Sequence, residues 1–251
     1  MKRLFDRLRG TRVSPLGQFP DDWAEFLWTR YAHYRRLPSS LRPAFEQSVQ
    51  RFIATQRITG VGVHVDDHLR LLVASSASTL SLAWPDYKWS EVSEVLLYPD
   101  SFDRDFRIGP PERAGMAHVW GTVILAIPAL WHSFDYPDDN YHVGLHEFAH
   151  LLTFERGRNL AIPIGLRPEK IQEWEAIQTR ELERIRRGDS IVEILGVVGN
   201  EEFFPSAVEA FFQQPLPLRD KHRDLYEFLS SYFDQDSAAW ESNYREQTKD
   251  L

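Results

Sequence analysis

The β-rich segments of this chain all lie in its first 140 residues, whereas the rest is almost wholly helix-like, and this separation restricts the fold more than any other feature. Short apolar runs rich in β-branched residues occur at 61–65, 95–98 and 122–127. After residue 140 the spacing of apolar residues is almost wholly helical, over roughly 141–155, 168–187, 201–214 and 221–234. Alternating βαβ units would interleave the two kinds of segment. The pattern therefore predicts an α+β domain, mostly helical, with a small mixed sheet.

The first part of the chain predicts a helical cap on this domain. Apolar residues at helical spacing follow Asp21, and a second helix is expected from Ser39 or Ser40, with Pro43 in its first turn. Residues 1–20 show no periodicity and are basic, so we interpret them as an arm that is free to move. We expect residues 21–251 to form one domain.

Three segments of the strand region carry further expectations. The segment 61–65 is expected to be a strand, followed by a helix that Asp66 or Asp67 caps. Residues 101–116 contain much Asp, Arg, Gly and Pro and predict a loop or an irregular hairpin. We expect the strand at 122–127 to be an edge strand, and Trp120, just before it, is a candidate for lining a substrate groove.

Composition limits the chemistry and the partners that are open to the chain. Cysteine is absent, so any metal must be held by His, Asp or Glu. The formal charge of −8 argues against direct nucleic-acid binding. The N-terminus lacks the apolar stretch of a signal peptide, and no run approaches the ~20 apolar residues of a membrane span. We expect a cytoplasmic protein that has no contact with a membrane.

The segment Leu145–Leu152 contains an HExxH motif. Four residues advance a helix by about 400°, so His146 and His150 point the same way and can reach one ion. Glu147 lies where it can accept a proton from a water molecule on that ion. The flanking apolar residues indicate a buried helix, in which two imidazoles and a carboxylate need partners. The motif predicts a catalytic metal site.

A tetrahedral catalytic zinc site has three protein ligands, so one more is required. The position of the third histidine of metzincins is occupied by Arg156, which leaves a distant glutamate as the better candidate. Glu202 and Glu209 lie seven residues apart on one stripe of a helix whose other faces are aromatic. On this pattern alone, either glutamate is a candidate ligand.

Four segments, in order, resemble the Mlc titration factor A peptidases, gluzincin-type zinc enzymes whose catalytic helix is similar to that of anthrax lethal factor. They are Val95-Leu96-Leu97-Tyr98-Pro99, Trp120-Gly121 before an apolar strand, Leu145-His146-Glu147-Phe148-Ala149-His150, and the helix from Glu202-Phe203-Phe204 to Glu209-Ala210-Phe211-Phe212. The resemblance implies a zincin-like fold and one Zn²⁺ per chain. It implies Glu202 as the third ligand, with Glu209 behind it holding a ligand imidazole.

The resemblance also implies a function and leaves an alternative open. It implies hydrolysis of peptides, aminopeptidase-like on small substrates, and binding of Mlc, a transcriptional repressor of sugar uptake. The family tends to carry a tyrosine seven residues before the ligand glutamate, and this chain has Leu195 there. The alternative is therefore a catalytically weak regulator that sequesters a transcription factor. Tyr141 and His142 are the nearest candidates to border the cleft and replace the missing donor.

Overall fold

The computed structural model describes residues 17–109, 113–155, 157–193 and 199–249. The first sixteen residues of the expected N-terminal arm lie outside this range, and the division into an arm and one domain stays a prediction. Among the described residues, none of the helices combines the length and the apolar character that crossing a membrane requires.

The described elements confirm an α+β fold that is mostly helical. The helices are α1 (Asp21–Arg30), α2 (Ala32–Arg36), α3 (Arg42–Thr55), α4 (Asp67–Ser81), α5 (Ile127–Asp135), α6 (Val143–Leu151), α7 (Pro168–Arg187), α8 (Asn200–Gln213), α9 (Pro215–Lys221), α10 (Arg223–Phe233) and α11 (Ser237–Gln247). The strands are β1 (Ile58–Gly60), β2 (Glu94–Tyr98), β3 (Gly115–Ala117), β4 (Thr122–Ala126), β5 (Phe154–Glu155) and β6 (Arg158–Asn159).

The main sheet has four strands in the order β1-β2-β4-β3. Strands β1, β2 and β4 are parallel, with Val95 opposite Val123, and β3 pairs antiparallel to β4, with Met116 opposite Ile124. Strands β5 and β6 form a separate short hairpin. The predicted mixed sheet is therefore present, and β3 is the edge strand beside β4.

Three expectations about the strand region are wrong. The first strand is Ile58–Gly60 and not 61–65, because Gly62 has a φ of 71° and turns the chain there. The strand at 122–126 is internal, because Gly115–Ala117, at the end of the segment expected to be a loop or an irregular hairpin, pairs with its second edge. Ile127 ends no strand and instead begins α5, where Pro128 is tolerated in the first turn.

The helical expectations are closer to the structure. The helix expected from Ser39 or Ser40 begins at Arg42, with Pro43 near its start. Asp66 caps α4 by accepting a hydrogen bond from the Leu69 N–H. The helix predicted at 221–234 is α10, and the short helix α9, which ends just before it, was not predicted. The short helix α5, the C-terminal helix α11 and the β5–β6 hairpin were not predicted.

The HExxH helix α6 lies at the centre of the packing. It contacts α4 and α5 on one side, α8 on another, and strands β3 and β4 of the sheet. Phe148 is fully buried, and so are Phe203 and Phe211 of α8. These contacts fix α6 relative to α8 and to the edge strand, and the three elements together form the candidate site.

Candidate metal centre

The HExxH helix begins with a side-chain cap that its own sequence supplies. Nδ1 of His142 accepts a hydrogen bond from the Leu145 N–H at 3.2 Å. His146 and His150 then lie one turn apart on the same face, with ring centroids 4.9 Å apart. Glu147, between them, is buried.

Helix α8 brings a carboxylate to these two imidazoles. Oε2 of Glu202 lies 3.2 Å from Nε2 of His146 and 3.4 Å from Nε2 of His150. One donor atom from each of the three residues lies within 4.8 Å of the other two. Within the described ranges, this group meets the geometric requirement for holding a metal ion.

The donor set fits a tetrahedral ion. Ligand atoms about 2.1 Å from a tetrahedral zinc ion stand about 3.4 Å apart, close to both distances from Glu202. Imidazole nitrogen and carboxylate oxygen are donors that zinc accepts in catalytic sites. The His146, His150 and Glu202 side chains are therefore spaced as three ligands of one ion would be.

Glu209 occupies a different position, behind His146. Its Oε2 lies 2.8 Å from Nδ1 of His146, and its Oε1 accepts a hydrogen bond of 2.6 Å from the His142 N–H. Glu209 is thus hydrogen-bonded both to the backbone at the start of α6 and to the His146 imidazole. The other nitrogen of that ring, Nε2, faces Glu202. A carboxylate behind a ligand imidazole fixes the ring and its tautomer.

The charges of the cluster show how strongly its members interact. Burial favours the neutral form of His146, but the Glu209 carboxylate and hydrogen bonds to both glutamates outweigh it and raise the pKa of His146 well above its usual value. Burial opposes ionisation of Glu202, yet hydrogen bonds to the two imidazoles outweigh it and lower the pKa of Glu202. A metal cation bound between these groups would replace the proton that His146 holds.

Glu147 has a different environment. Burial raises the pKa of Glu147, while the neighbouring His146 and His150 partly oppose that shift. Its carboxylate packs against Gly115 of β3: a Cβ at Gly115 would stand 2.5 Å from Oε1 of Glu147. The carboxylate therefore lies between the histidines and the edge strand of the sheet. A raised pKa in this place suits a group that exchanges protons.

The three remaining candidate residues have different surroundings. The His142 ring is 2% exposed and packs against Phe134, so it belongs to the core. Tyr141 is half-buried, and its pKa is raised by burial and by the negative charges of Glu209 and Glu147. Trp120 is exposed, in the turn between β3 and β4. Leu195 lies outside the described residues.

Sequence reasoning missed two parts of this region. Gly115 gave no signal, because a three-residue strand inside a polar segment is too short to show alternation.

The second part is a clamp on the Ile191 backbone. The Ile191 carbonyl accepts a hydrogen bond from Asn140 Nδ2 at 2.8 Å, and the Ile191 N–H donates to Nε2 of His222 at 3.3 Å. The clamp joins the segment before α6 to the segment that leads toward α8.

An α+β domain in which an HExxH helix and a glutamate from a second helix converge is the architecture of a metallopeptidase. A model of the family described as glucose-regulated metallo-peptidase M90 matches residues 5–234, so the chain belongs to that family. This family includes the Mlc titration factor A peptidases, and the resemblance noted in the sequence is confirmed. Membership implies a catalytic metal ion.

A relative in a cyanobacterium extends over most of the chain. The uncharacterized protein slr2042 of Synechocystis sp. (strain ATCC 27184 / PCC 6803 / Kazusa) is 27% identical over 230 residues. The match covers 85% of this chain and 84% of the relative. The similarity therefore includes both the strand region and the helices of the candidate site.

Proposed function

We propose that the protein is a zinc-dependent peptidase in which His146, His150 and Glu202 hold one Zn²⁺. The observation that carries the proposal is that one donor atom from each of these three side chains lies within 4.8 Å of the other two. Glu147 lies on the helix that carries both histidines. Glu209 is proposed to orient His146 and not to bind the ion, because both of its oxygens are already hydrogen-bonded. Membership of the family supports a metallopeptidase, and the identity of the metal as zinc is our proposal.

The chain's own residues divide the chemistry between them. When bound, the metal polarises a carbonyl group and lowers the pKa of a water molecule. Glu147 accepts the proton of the attacking water and delivers it to the leaving amine. Burial, which raises the pKa of Glu147, makes its carboxylate a stronger base and favours the first of these steps.

The edge strand supplies a place for an extended peptide. In β3, Met116 is opposite Ile124, and the flanking ladder bonds join Ala126 N to Ala114 O and His118 N to Thr122 O. Because hydrogen-bonded residues alternate along a strand, the backbone groups of Gly115 and Ala117 point away from β4. We propose that the substrate adds to this edge beside Glu147. Strand β4, which the sequence predicted to be an edge strand, is paired on both edges.

A Glu147→Gln variant tests the proposal. The variant should retain zinc at one ion per chain, measured by elemental analysis, and lose peptide turnover by at least about 10²-fold. Chelation should abolish the turnover of the wild-type protein, and added Zn²⁺ should restore it. Turnover that survives in Glu147→Gln, or in chelated wild-type protein, would contradict the proposal.

Aminopeptidase-like cleavage is a finer part of the same proposal. An aminopeptidase requires a free amino terminus, so matched peptides with free and acetylated N-termini separate the two modes. We expect the acetylated peptides to be cleaved at least about tenfold more slowly. Equal rates would identify an endopeptidase and leave the zinc chemistry intact.

The second candidate function is a regulator that binds a transcriptional repressor of sugar uptake, with little hydrolysis. The observation that favours it is Leu195, at the position where the family tends to carry a tyrosine. Loss of one such donor costs about 10² to 10³ in turnover. Zinc-loaded protein that cleaves nothing in a peptide library, yet binds the repressor in a pull-down with purified components, would favour this candidate.

A further inference from the structure

Trp120 is the most exposed of the large apolar side chains at the surface of the described residues. Its side chain is 73% exposed, and its ring stacks on His118 with centroids 5.4 Å apart and an interplanar angle of 11°. Burial of an exposed indole against a partner is favourable because it removes apolar surface from water. Such a side chain therefore often marks a binding surface.

The turn that carries Trp120 is held in place. Gly121 N–H donates to His118 O at 2.7 Å, and Gly121 O accepts from Ser93 N–H at 2.9 Å. Gly121 has a φ of 91°, and a Cβ there would overlap the carbonyl oxygen of Glu91. The turn is therefore pinned to the chain that enters β2, and it presents the indole in a fixed position.

This turn continues the proposed substrate edge. Gly115, at the start of β3, contacts Glu147, and His118 follows three residues later. At about 3.3 Å per residue, the His118 and Trp120 pair begins about 10 Å along the strand from the general base. A peptide that adds to β3 from Glu147 onward reaches the pair after about three residues.

The pair is on the outer face of the sheet. Successive side chains of a strand alternate between faces, so Met116 and His118 share the face opposite to Gly115 and Glu147. Met116 packs there against the small apolar cluster of Tyr98, Phe102 and Ile124. Every second side chain of an added strand would point to this same apolar face.

We propose that His118 and Trp120 bind an aromatic or large aliphatic side chain of the peptide substrate, about three residues from the scissile bond. The inference rests on the proposed function, since it needs a peptide on the β3 edge. Aromatic contacts of this kind contribute enough to favour such a peptide about three- to tenfold over one with a small polar residue. The specificity thus lies on the sheet and not on the metal-binding helices.

Binding to zinc-loaded Glu147→Gln protein tests the inference without turnover. The probes are decapeptides of Ala and Ser with a free amino terminus and fluorescein at the carboxyl end, one with a single Phe as its fourth residue and one without Phe, compared by fluorescence anisotropy. The Phe peptide should bind about three- to tenfold more tightly. Adding Trp120→Ala should remove that difference, and the exposed indole can be removed without opening the core. His118→Ala is a second variant on the same pair, and Trp28→Ala, which removes a 45% exposed indole of α1, is the matched control.

Cleavage sites give the register. Mass spectrometry of the Phe peptide treated with wild-type protein should place the first cut about three residues from Phe, and Trp120→Ala should slow that cut about three- to tenfold. Equal affinity of the two peptides, or a Phe preference that persists in both Trp120→Ala and His118→Ala, would overturn the inference. If the binding preference depends on Trp120 but wild-type protein cuts neither peptide, the proposed peptidase function fails and the binding site stands.

Discussion

Nδ1 of His146 lies 2.8 Å from Oε2 of Glu209, so the imidazole is fixed from behind with its Nε2 turned toward Glu202. The same carboxylate receives the N–H of His142 at the start of α6. One glutamate of α8 therefore sets both the orientation of a proposed ligand and the position of the helix that carries it. This arrangement explains why α8 carries two glutamates seven residues apart.

Removing the Glu209 carboxylate should weaken metal binding without abolishing it. Glu209→Gln, which keeps the shape of the side chain, should lower zinc affinity about 10- to 100-fold in a competition assay with a fluorescent chelator. Glu202→Ala should lower it further, because a ligand itself is lost. The control is Glu201→Ala, at an exposed neighbouring position. Loss of zinc in Glu209→Ala but not in Glu202→Ala would reverse the proposed roles.

Metal binding should release a proton at neutral pH. The pKa of His146 is raised well above the 6.5 of an unperturbed histidine, so the metal-free imidazole holds a proton that the ion must displace. Apparent zinc affinity should rise about tenfold per pH unit until the pH passes that raised pKa. Calorimetry in two buffers of different ionisation enthalpy measures the proton. Absence of proton release between pH 7 and 8 would contradict the raised pKa.

The same shift gives the sign of a stability change in the metal-free protein. A raised folded-state pKa means that the charged His146 stabilises the fold fully below about pH 6.5 and loses this effect as the pH rises through the raised value. Urea unfolding of chelated protein should therefore show less stability at pH 9 than at pH 6. Glu209→Gln should reduce that dependence, and an unchanged dependence in this variant would assign it to other groups.

A methyl group at position 115 should impair catalysis while leaving the metal bound. In Gly115→Ala the new Cβ would stand 2.5 Å from Oε1 of Glu147, so either the carboxylate or β3 must shift. We expect kcat/KM to fall about 10²-fold, because a displacement of about 1 Å at a reacting group has that effect. Gly17→Ala is the control, since nothing lies within 4 Å of a Cβ there. Loss of zinc in Gly115→Ala would indicate general disruption of the site.

The buried hydrogen bond between Glu181 and His222 should matter for stability more than an exposed ion pair of α7. Glu181 and His222 are almost fully buried, with Oε2 and Nδ1 2.6 Å apart, and His222 also holds the Ile191 backbone. Glu181→Ala should lower the free energy of unfolding by about 1 to 3 kcal/mol, since the buried Nδ1 of His222 loses its hydrogen-bond partner. Glu183→Ala, on an exposed pair of the same helix, should change it by less than about 1 kcal/mol. Urea denaturation measures both, and equal effects would contradict the argument.

Much of the candidate site could be predicted from the sequence because helical spacing is local. The i, i+4 spacing places His146 and His150 on one face whatever surrounds them, and the seven-residue spacing does the same for Glu202 and Glu209. The order of strands before helices likewise predicted the α+β class. These features depend on residues within two turns of each other or on the order of segments along the chain.

The tertiary structure alone decided how these faces meet. Which glutamate lies between the two imidazoles and which lies behind His146 depends on the packing of α8 against α6, over more than fifty residues of chain. Which strand lies at the edge of the sheet depends on the pairing of Gly115–Ala117 with β4. Three residues are too few to show the alternation that would predict a strand. A helix forms its backbone hydrogen bonds within itself, whereas a strand pairs with a segment from elsewhere in the chain. The sequence therefore determined the metal-binding face of α6, and the tertiary structure determined the edge proposed to bind substrate.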